Sequence, residues 1–499
     1  MTTTVNTATF RQHIAGQWAD AVDGDWIDSV DPYRGEVWSR IPRGNDKDVA
    51  AAVAAAKQAM TDGPWATMTP PKRAAIMRRI AAAIVDNAQR LAEVEVRDNG
   101  KLLSEVQGQL SASSECWYYY AGLTDKIEGS SIPLEKPNTV AFTTREPVGV
   151  VAALTAWNSP LWFVAVKCAP ALAAGCSVVV KPSEFASAST LEFAGLLKEA
   201  GLPDGVFNVV TGYGQEVGAA LVEHPDVAKI TFTGAETTGT RIYEAAASSL
   251  KRVSLELGGK SPNIVFDDAD LDLAATGVIT GIFGAAGQMC AAGSRLLVHT
   301  AVKDAFVEKV IALAGQITLG DPMDPRTNVG PIATRPQYEK VLHYLNVAES
   351  DGARCVLGGR PADDPELKGG QFVEPTIYVD VDNSMRIAQE EVFGPILSVI
   401  EFDSEESAVQ LANDVDYGLV AGVWTKDTAR ALRMSKALHV GTVWLNTYRT
   451  YSYMLPFGGM KRSGIGRENG IEAVSEYLET KSVVMSTDDS VPTNPFVIR

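Results

Sequence analysis

The stretch Gly149–Val180 reads GVVAALTAWNSPLWFVAVKCAPALAAGCSVVV, and its ends want a different backbone from its middle. GVVAAL and SVVV are short apolar runs, rich in the β-branched valine, with the length of buried strands. Between them Leu161–Ala174 is helix-like and starts behind a proline. The alternation continues. VFNVV (Val206–Val210) and KITF (Lys229–Phe232) are further apolar runs, with helix-like Ser187–Ala200 and Gln215–Glu223 between them. Strand, helix, strand, helix with short Gly-rich turns is the pattern of a doubly wound parallel α/β sheet. Ligands of such sheets bind at the carboxyl ends of the strands.

Working outward, Lys47 to Asn99 is patterned as helix, with Pro71 at a helix start and Gly100 just past a helix end. Leu103–Ala121 reads as another helix. A second α/β stretch runs from Gly258 to Gly458, where NIVF, RLLVH, SVIEF and AGVWT alternate with helices such as Thr300–Ala314. Glu128–Glu146 fits neither unit and reads as an extended, solvent-facing arm. The tail KSVVMSTDDSVPTNPFVIR opens as a strand and ends irregularly. Arms outside two cores suggest subunit pairing by strand addition. No repeat or long linker separates the units, so they are expected to pack intimately.

At 499 residues the chain fits two or three domains. Its net charge of −17 argues against nucleic acid and against anionic membrane surfaces. The uncharged stretch Pro147–Val166 is about as long as a membrane span, but Thr155, Asn158, Ser159 and two prolines make it buried core with something polar inside. The beginning, MTTTVNTATFRQH, lacks the basic and apolar regions of a signal peptide. Cys116, Cys168, Cys176, Cys290 and Cys355 form no CxxC pair or disulfide framework, so reduced thiols and a cytoplasmic location are expected.

The candidate chemistry has a bland reading beside each sharp one. Cys290 lies in GAAGQMCAAGS, where small neighbours would admit a substrate and a backbone N–H could face an oxyanion. It could equally be a small buried hydrophobe. Glu256 follows Val253 and Leu255 on a strand that two glycines terminate; near apolar packing its pKa should rise, making a base, or it is a solvated strand end. Asn158, in AWNSP, either donates its amide to an oxyanion or caps the helix behind it. KPSE (Lys181–Glu184) follows SVVV and could hold a ribose by its hydroxyls. TFTGAETTG places Gly234 and Gly239 at a helix start, where a pyrophosphate could sit, although this is not GxGxxG. The five histidines are scattered and no GxSxG is present, which argues against a catalytic zinc and a serine triad.

In this order AWNSP, KPSE, FTGxxxxG, ELGGKSP, GQMC, EEVFGP, NTY and PFGGMKRSGIGRENG resemble the motif series of the NAD(P)-dependent aldehyde dehydrogenase superfamily, from Ile14 to Val484. The resemblance implies a Rossmann-like cofactor domain (1–126 and 147–257), an α/β catalytic domain (258–462), and a small β oligomerisation arm with C-terminal tail (127–146 and 463–499). It implies a homodimer or homotetramer. It makes Cys290 the nucleophile, Asn158 with the Cys290 N–H the oxyanion site, and Glu256 the base that activates water against a thioester. Lys167 and Glu468 fall where some members have a proton relay. Lys181 and Glu184 match an adenosine-ribose clamp, Gly234 a pyrophosphate turn, and Glu391 and Phe393 contacts to the nicotinamide half. Thr155, Trp157, Gly214 and Leu257 match further cofactor contacts. Trp162, Phe163, Met289, Tyr451 and Phe457 would wall the substrate tunnel, with Arg449 near its mouth.

The chain departs from the common pattern at Ser159, where many members have an aromatic ring, and at Ala235, where many have a hydroxyl. Glu184 would repel a 2′-phosphate, so NAD is the expected cofactor. Arg449 would favour aldehydes carrying a distal carboxylate, or it is salt-bridged to one of the 61 acids. The leading expectation is NAD-dependent oxidation of a small-molecule aldehyde, such as a semialdehyde or another anionic or aromatic aldehyde, to the acid. The alternatives are a CoA-acylating semialdehyde dehydrogenase, which needs no water-activating base, and a catalytically silent structural relative. No metal is expected.

Overall fold

The computed structural model describes residues 7–489 and Phe496. Expectations for the first six residues and for the rest of the tail lie outside these. Two parallel sheets dominate the chain.

The first has eight strands in the order Gly464–Ile465, Arg252–Glu256, Val227–Thr233, Val150–Leu154, Ser177–Lys181, Phe207–Val209, Gln12–Ile14, Gln17–Ala19. Its five central strands are mutually parallel, and both edges are antiparallel. Val178, Val179 and Val180 are fully buried because helices cover both faces. Helix Pro160–Ala174 starts on its proline, stops at left-handed Gly175, and is buried almost throughout. The helical region upstream resolves into Asp46–Thr61, Pro70–Asp86, Ala88–Asn99 and Leu103–Leu123. Asn45 and Asp48 form a capping box that starts the first of them.

The second sheet has seven strands in the order Arg354–Leu357, Thr376–Val379, Ile396–Phe402, Arg295–His299, Pro262–Val265, Val420–Trp424, Thr442–Leu445. Every pairing is parallel except that of the first edge strand. The arm is a separate antiparallel sheet, Leu478–Ser486 against Thr139–Pro147 against Ser131–Ile132.

One boundary differs from the sequence reading. The segment after Ser463, grouped with the arm, first returns to the large sheet. Ile465 pairs with Leu255, and the short helix Ile471–Tyr477 packs against Pro160–Ala174 through buried Ala473, Val474 and Tyr477. Only from Leu478 does the chain join the arm. Apolar burial draws this segment inward, and a two-residue strand leaves no periodic signal.

Candidate active site

Cys290 stands where helix Leu271–Phe283 has ended and the chain turns back toward the second sheet. Ala285, Ala286 and Gly287 are successively left-handed, with φ of 51°, 53° and 71°. For each alanine this conformation costs about 1–2 kcal/mol. Packing holds it: a Cβ on Gly287 would meet the Gly394 carbonyl at 2.1 Å. Gln288 pins the turn, donating to the carbonyls of Ala285 and Pro331 (both 3.2 Å) and accepting from Ala333 N–H (2.8 Å). Burial, then the nearby Glu256 and Glu391, push the Cys290 thiol up to about 12. The resting group is therefore a thiol that needs a base. Phe393, Arg449 and Asn469 are also left-handed non-glycine residues, as expected where packing stores strain around a site.

Glu256 ends its strand and is 5% exposed, so it is not a solvated strand-end glutamate. Neither carboxylate oxygen has a hydrogen-bond partner within the protein. Burial raises its pKa well above the usual carboxylate range, Glu468 raises it further, and Lys167 opposes. Gly458 makes room for it, since a Cβ there would lie 2.6 Å from Glu256 Oε1. Lys167 is fully buried on helix Pro160–Ala174, ion-paired with Glu468 and donating to Thr231 Oγ1 at 3.2 Å.

Asn158 is not the helix cap. Ser159 occupies that position, and Asn158 Nδ2 donates to the Gln288 carbonyl at 3.0 Å. A primary amide has two N–H donors, so one remains.

Cys290, Glu256, Asn158 and Glu468 border one cavity of about 360 Å³, with Trp162, Phe163, Met289, Arg449, Tyr451 and Phe457 also lining it. Lys167 stands behind it as the partner of Glu468. Arg449 lies 3.6 Å from Glu105 and donates to the Thr280 carbonyl at 2.9 Å, so the salt-bridged reading holds even though the residue faces the cavity. The same wall holds Lys101 and Gln109. Sequence reasoning named neither, because a lysine past a helix end carries no local mark of burial.

Thr233 also lines a second, larger crevice of about 960 Å³ and so joins the two spaces. This crevice lies at the carboxyl ends of the central strands and is lined by Thr155, Trp157, Lys181, Glu184, Gly214 and Gly234. Lys181 pairs with Glu184 at 3.2 Å and donates to the Pro182 carbonyl at 2.9 Å. The hydroxyls of Thr155 and Thr233 are buried without a partner. Ala235 caps helix Glu236–Ala247 without a side-chain bond, which leaves its first N–H groups for an anion. Leu257 packs beside Gly239 and is not on the crevice wall. Glu391 accepts from Gly259 N–H at 3.0 Å, and Phe393 meets Trp157 edge-on at 5.4 Å. Arg43 and Arg241 line the crevice as well, unforeseen because nothing in their local sequence points inward. Arg43 is paired with Glu216 at 2.6 Å.

Volume, place in the sheet, a ribose-sized ion pair and orphaned hydroxyls all fit a dinucleotide. Among the described residues, no helix is long and apolar enough to cross a membrane, and no group of three or more His, Cys, Asp or Glu could hold a metal.

A nucleotide-type crevice opening into a thiol pocket defines a two-lobed oxidoreductase that works through a cysteine. Comparison with known proteins gives the class its family. The family model for the aldehyde dehydrogenase family matches residues 18–483. The (Z)-2-((N-methylformamido)methylene)-5-hydroxybutyrolactone dehydrogenase of Acinetobacter baylyi is 45% identical over 492 residues, 98% of this chain and 99% of that protein. Betaine aldehyde dehydrogenase from Staphylococcus aureus, solved in complex with NAD+, superposes with a TM-score of 0.96 at 40% identity, covering 99% of this chain and 98% of that one. An NAD-dependent aldehyde dehydrogenase from Sinorhizobium meliloti gives 0.95 at 38%, covering 98% and 97%. The chain belongs to the aldehyde dehydrogenase family. It has that family's α/β fold and is an oxidoreductase acting on aldehydes.

Proposed function

We propose that this enzyme oxidises a carboxylate-bearing aldehyde to the corresponding acid with NAD as cofactor, through covalent intermediates on Cys290. The observation that carries the reading is the convergence of Cys290, Asn158 and Glu256 on one cavity that Thr233 joins to the nucleotide crevice.

Glu256, unpartnered and buried, takes the proton of the Cys290 thiol. The thiolate attacks the aldehyde carbon, and the remaining Asn158 N–H with the Cys290 backbone N–H holds the oxyanion. Each such donor contributes roughly 3 kcal/mol to the transition state. The chemistry NAD+ supplies when bound is acceptance of hydride from the thiohemiacetal. Lys181 and Glu184 hold the adenosine ribose, the Gly234 turn and the open helix start after Ala235 hold the pyrophosphate, and Trp157, Glu391 and Phe393 position the nicotinamide end. Thr155 and Gly214 line the same path. Glu256 first releases the thiol proton by way of the Lys167–Glu468 pair, and then deprotonates the water that attacks the thioester left on Cys290. Trp162, Phe163, Met289, Tyr451 and Phe457 pack the carbon chain. Glu256 disfavours the CoA-acylating alternative, which has no use for a water-activating base.

Two considerations support an anionic substrate. Lys101 and Arg449 both line the cavity, and the carboxylates on its wall other than Glu105, namely Glu256 and Glu468, belong to the catalytic machinery. The Acinetobacter relative is named for a 5-hydroxybutyrolactone, and rings of that type are the closed form of an aldehyde carrying a carboxylate. We assign the protein to the cytoplasm on its five cysteines without a framework. We assign it a homodimer or homotetramer on the exposed apolar residues Ile132, Val140, Phe142, Val484 and Met485 of the arm.

The test is the initial rate of NADH formation, without CoA, on matched anionic and neutral aldehydes, with Cys290→Ala as blank. Turnover favouring the anionic members is expected. Turnover only on addition of CoA would overturn the role of Glu256, and none under either condition would point to a silent relative.

A further inference from the structure

We infer that Lys101, held by Ser159 and Gln109, reads the carboxylate of the substrate, and that the preferred aldehydes are short ω-oxo acids. This rests on the carboxylate-aldehyde reading above.

Lys101 follows Gly100, the left-handed residue that ends helix Ala88–Asn99. That turn is wedged in place: a Cβ on Gly100 would lie 2.6 Å from the Pro331 ring and 2.8 Å from that of Pro32. Asn99 Oδ1 also accepts from the Lys101 N–H at 3.0 Å. The fixed turn delivers the side chain to the cavity wall, where Lys101 is 7% exposed.

Its ammonium donates to Ser159 Oγ at 2.6 Å and to Gln109 Oε1 at 3.2 Å. Both partners are neutral. An ammonium has three N–H donors, so one remains for the cavity. Among the described residues no carboxylate lies within ion-pair distance of it; Glu105 and Glu95 act on it only through space. Burial accordingly lowers its pKa below the ordinary lysine range. A buried cation without a counterion is costly, and an anionic ligand supplies the missing partner. Arg449 differs, because Glu105 faces its guanidinium and the Thr280 carbonyl takes one of its N–H groups. Lys101 thus carries the uncompensated charge on this wall.

The position also sets length. Ser159 neighbours Asn158 in sequence and donates to the Asn158 carbonyl at 2.7 Å. Lys101, Asn158 and Cys290 line the same cavity of about 360 Å³, and Cys290 is near enough to act on the ammonium through space, so a substrate that meets both has a short carbon chain.

The test compares 4-oxobutanoate with butanal, and 5-oxopentanoate with pentanal, in NAD-dependent turnover by the full-length enzyme and its variants. In Lys101→Met the anionic-to-neutral ratio of kcat/KM is expected to fall by about tenfold or more, as for loss of a charged hydrogen bond. The fall should lie mainly in KM for the oxo acid, and Lys101→Arg should restore most of it. If the native enzyme prefers oxo acids and Lys101→Met keeps the full preference, Lys101 is not the reader and the carboxylate reading stands. If the native enzyme shows no preference for oxo acids, both fall. Should Lys101→Met not fold, Gln109→Leu on the half-buried helix face reads the same ratio. A drop of about threefold supports the inference and no change overturns it.

Discussion

Asn158 Nδ2 donates to the carbonyl of Gln288 at 3.0 Å, and this bond spans from the first sheet's helix to the turn that carries the nucleophile. It fixes the amide two residues from Cys290, without using both donors. Asn158→Ala is expected to lower kcat/KM by about 10²–10³-fold, the usual cost of one oxyanion donor. Steady-state kinetics on the best aldehyde check this, and a loss below tenfold would remove Asn158 from the oxyanion site.

Glu256→Gln should separate the two halves of the reaction. The substituted amide matches the carboxyl in size but cannot take a proton from water. We expect a slowed single turnover of NADH, since the thiol has lost its base, followed by a stall with an acyl mass adduct on Cys290. Absence of both turnover and adduct would mean that Glu256 is required mainly for generating the thiolate.

The same substitution has a pH-dependent effect on stability. Burial, then Glu468, raise the Glu256 pKa, so the folded protein keeps a proton that the unfolded chain releases. Below the ordinary carboxylate range both states are protonated and nothing is lost. Above it, stability falls with rising pH until the raised folded pKa is passed. Glu256→Gln removes that loss. Calorimetry should show Tm raised by ~2 °C or more at about pH 8, with a smaller gain at about pH 5.5. An equal gain at both values would contradict a raised pKa.

Lys167 and Glu468 should move the base in opposite directions. Lys167 lowers the Glu256 pKa and Glu468 raises it. Glu468→Gln should therefore shift the acid limb of the kcat profile to lower pH, and Lys167→Met should shift it to higher pH. Breaking this buried pair also destabilises, by about 3–5 kcal/mol for an orphaned charge, so each profile is read below the variant's own melting range. Shifts of the same sign would exclude a direct electrostatic role.

Glu184 should set the cofactor preference. Its carboxylate is held 3.2 Å from Lys181 on the wall of the crevice. Glu184→Gln removes the charge that repels a 2′-phosphate, and the NADP-to-NAD ratio of kcat/KM should rise by about tenfold. A native enzyme that already favours NADP would contradict the assignment.

Much of the fold was legible because its strands are buried on both faces. GVVAAL, SVVV and KITF fall on Val150–Leu154, Ser177–Lys181 and Val227–Thr233, where valine and isoleucine leave few alternatives. Gly100 and Pro71 marked helix ends for the reasons capping rules give. Small side chains around Cys290 and the glycines after Glu256 marked these two as candidates, but the roles and the cavity wall came from the resemblance of the ordered motif series to the family. What escaped depends on long-range packing. Lys101 and Arg241 look like surface residues in their own windows. Ala285 and Ala286 have no local reason to be left-handed; long-range contacts hold the turn, through the Gln288 hydrogen bonds to Pro331 and Ala333 and the close approach of Gly287 to Gly394. The Asn158 cap reading failed by one residue, because Pro160 opens the helix and hands the cap position to Ser159.

The chain passes between the two large sheets at two places around Glu256. It leaves the first sheet at Glu256 and enters the second at Pro262, and it leaves the second at Leu445 and rejoins the first at Gly464. Each passage holds a glycine pair, Gly258–Gly259 and Gly458–Gly459, and neither has space for a side chain. A Cβ on Gly258 would lie 2.5 Å from Glu391, and one on Gly458 would lie 2.6 Å from Glu256. Any rocking of one lobe against the other must flex these strands of chain. The two crossings press on the base and on the nicotinamide-side carboxylate, so a side chain added at either would displace a carboxylate of the site.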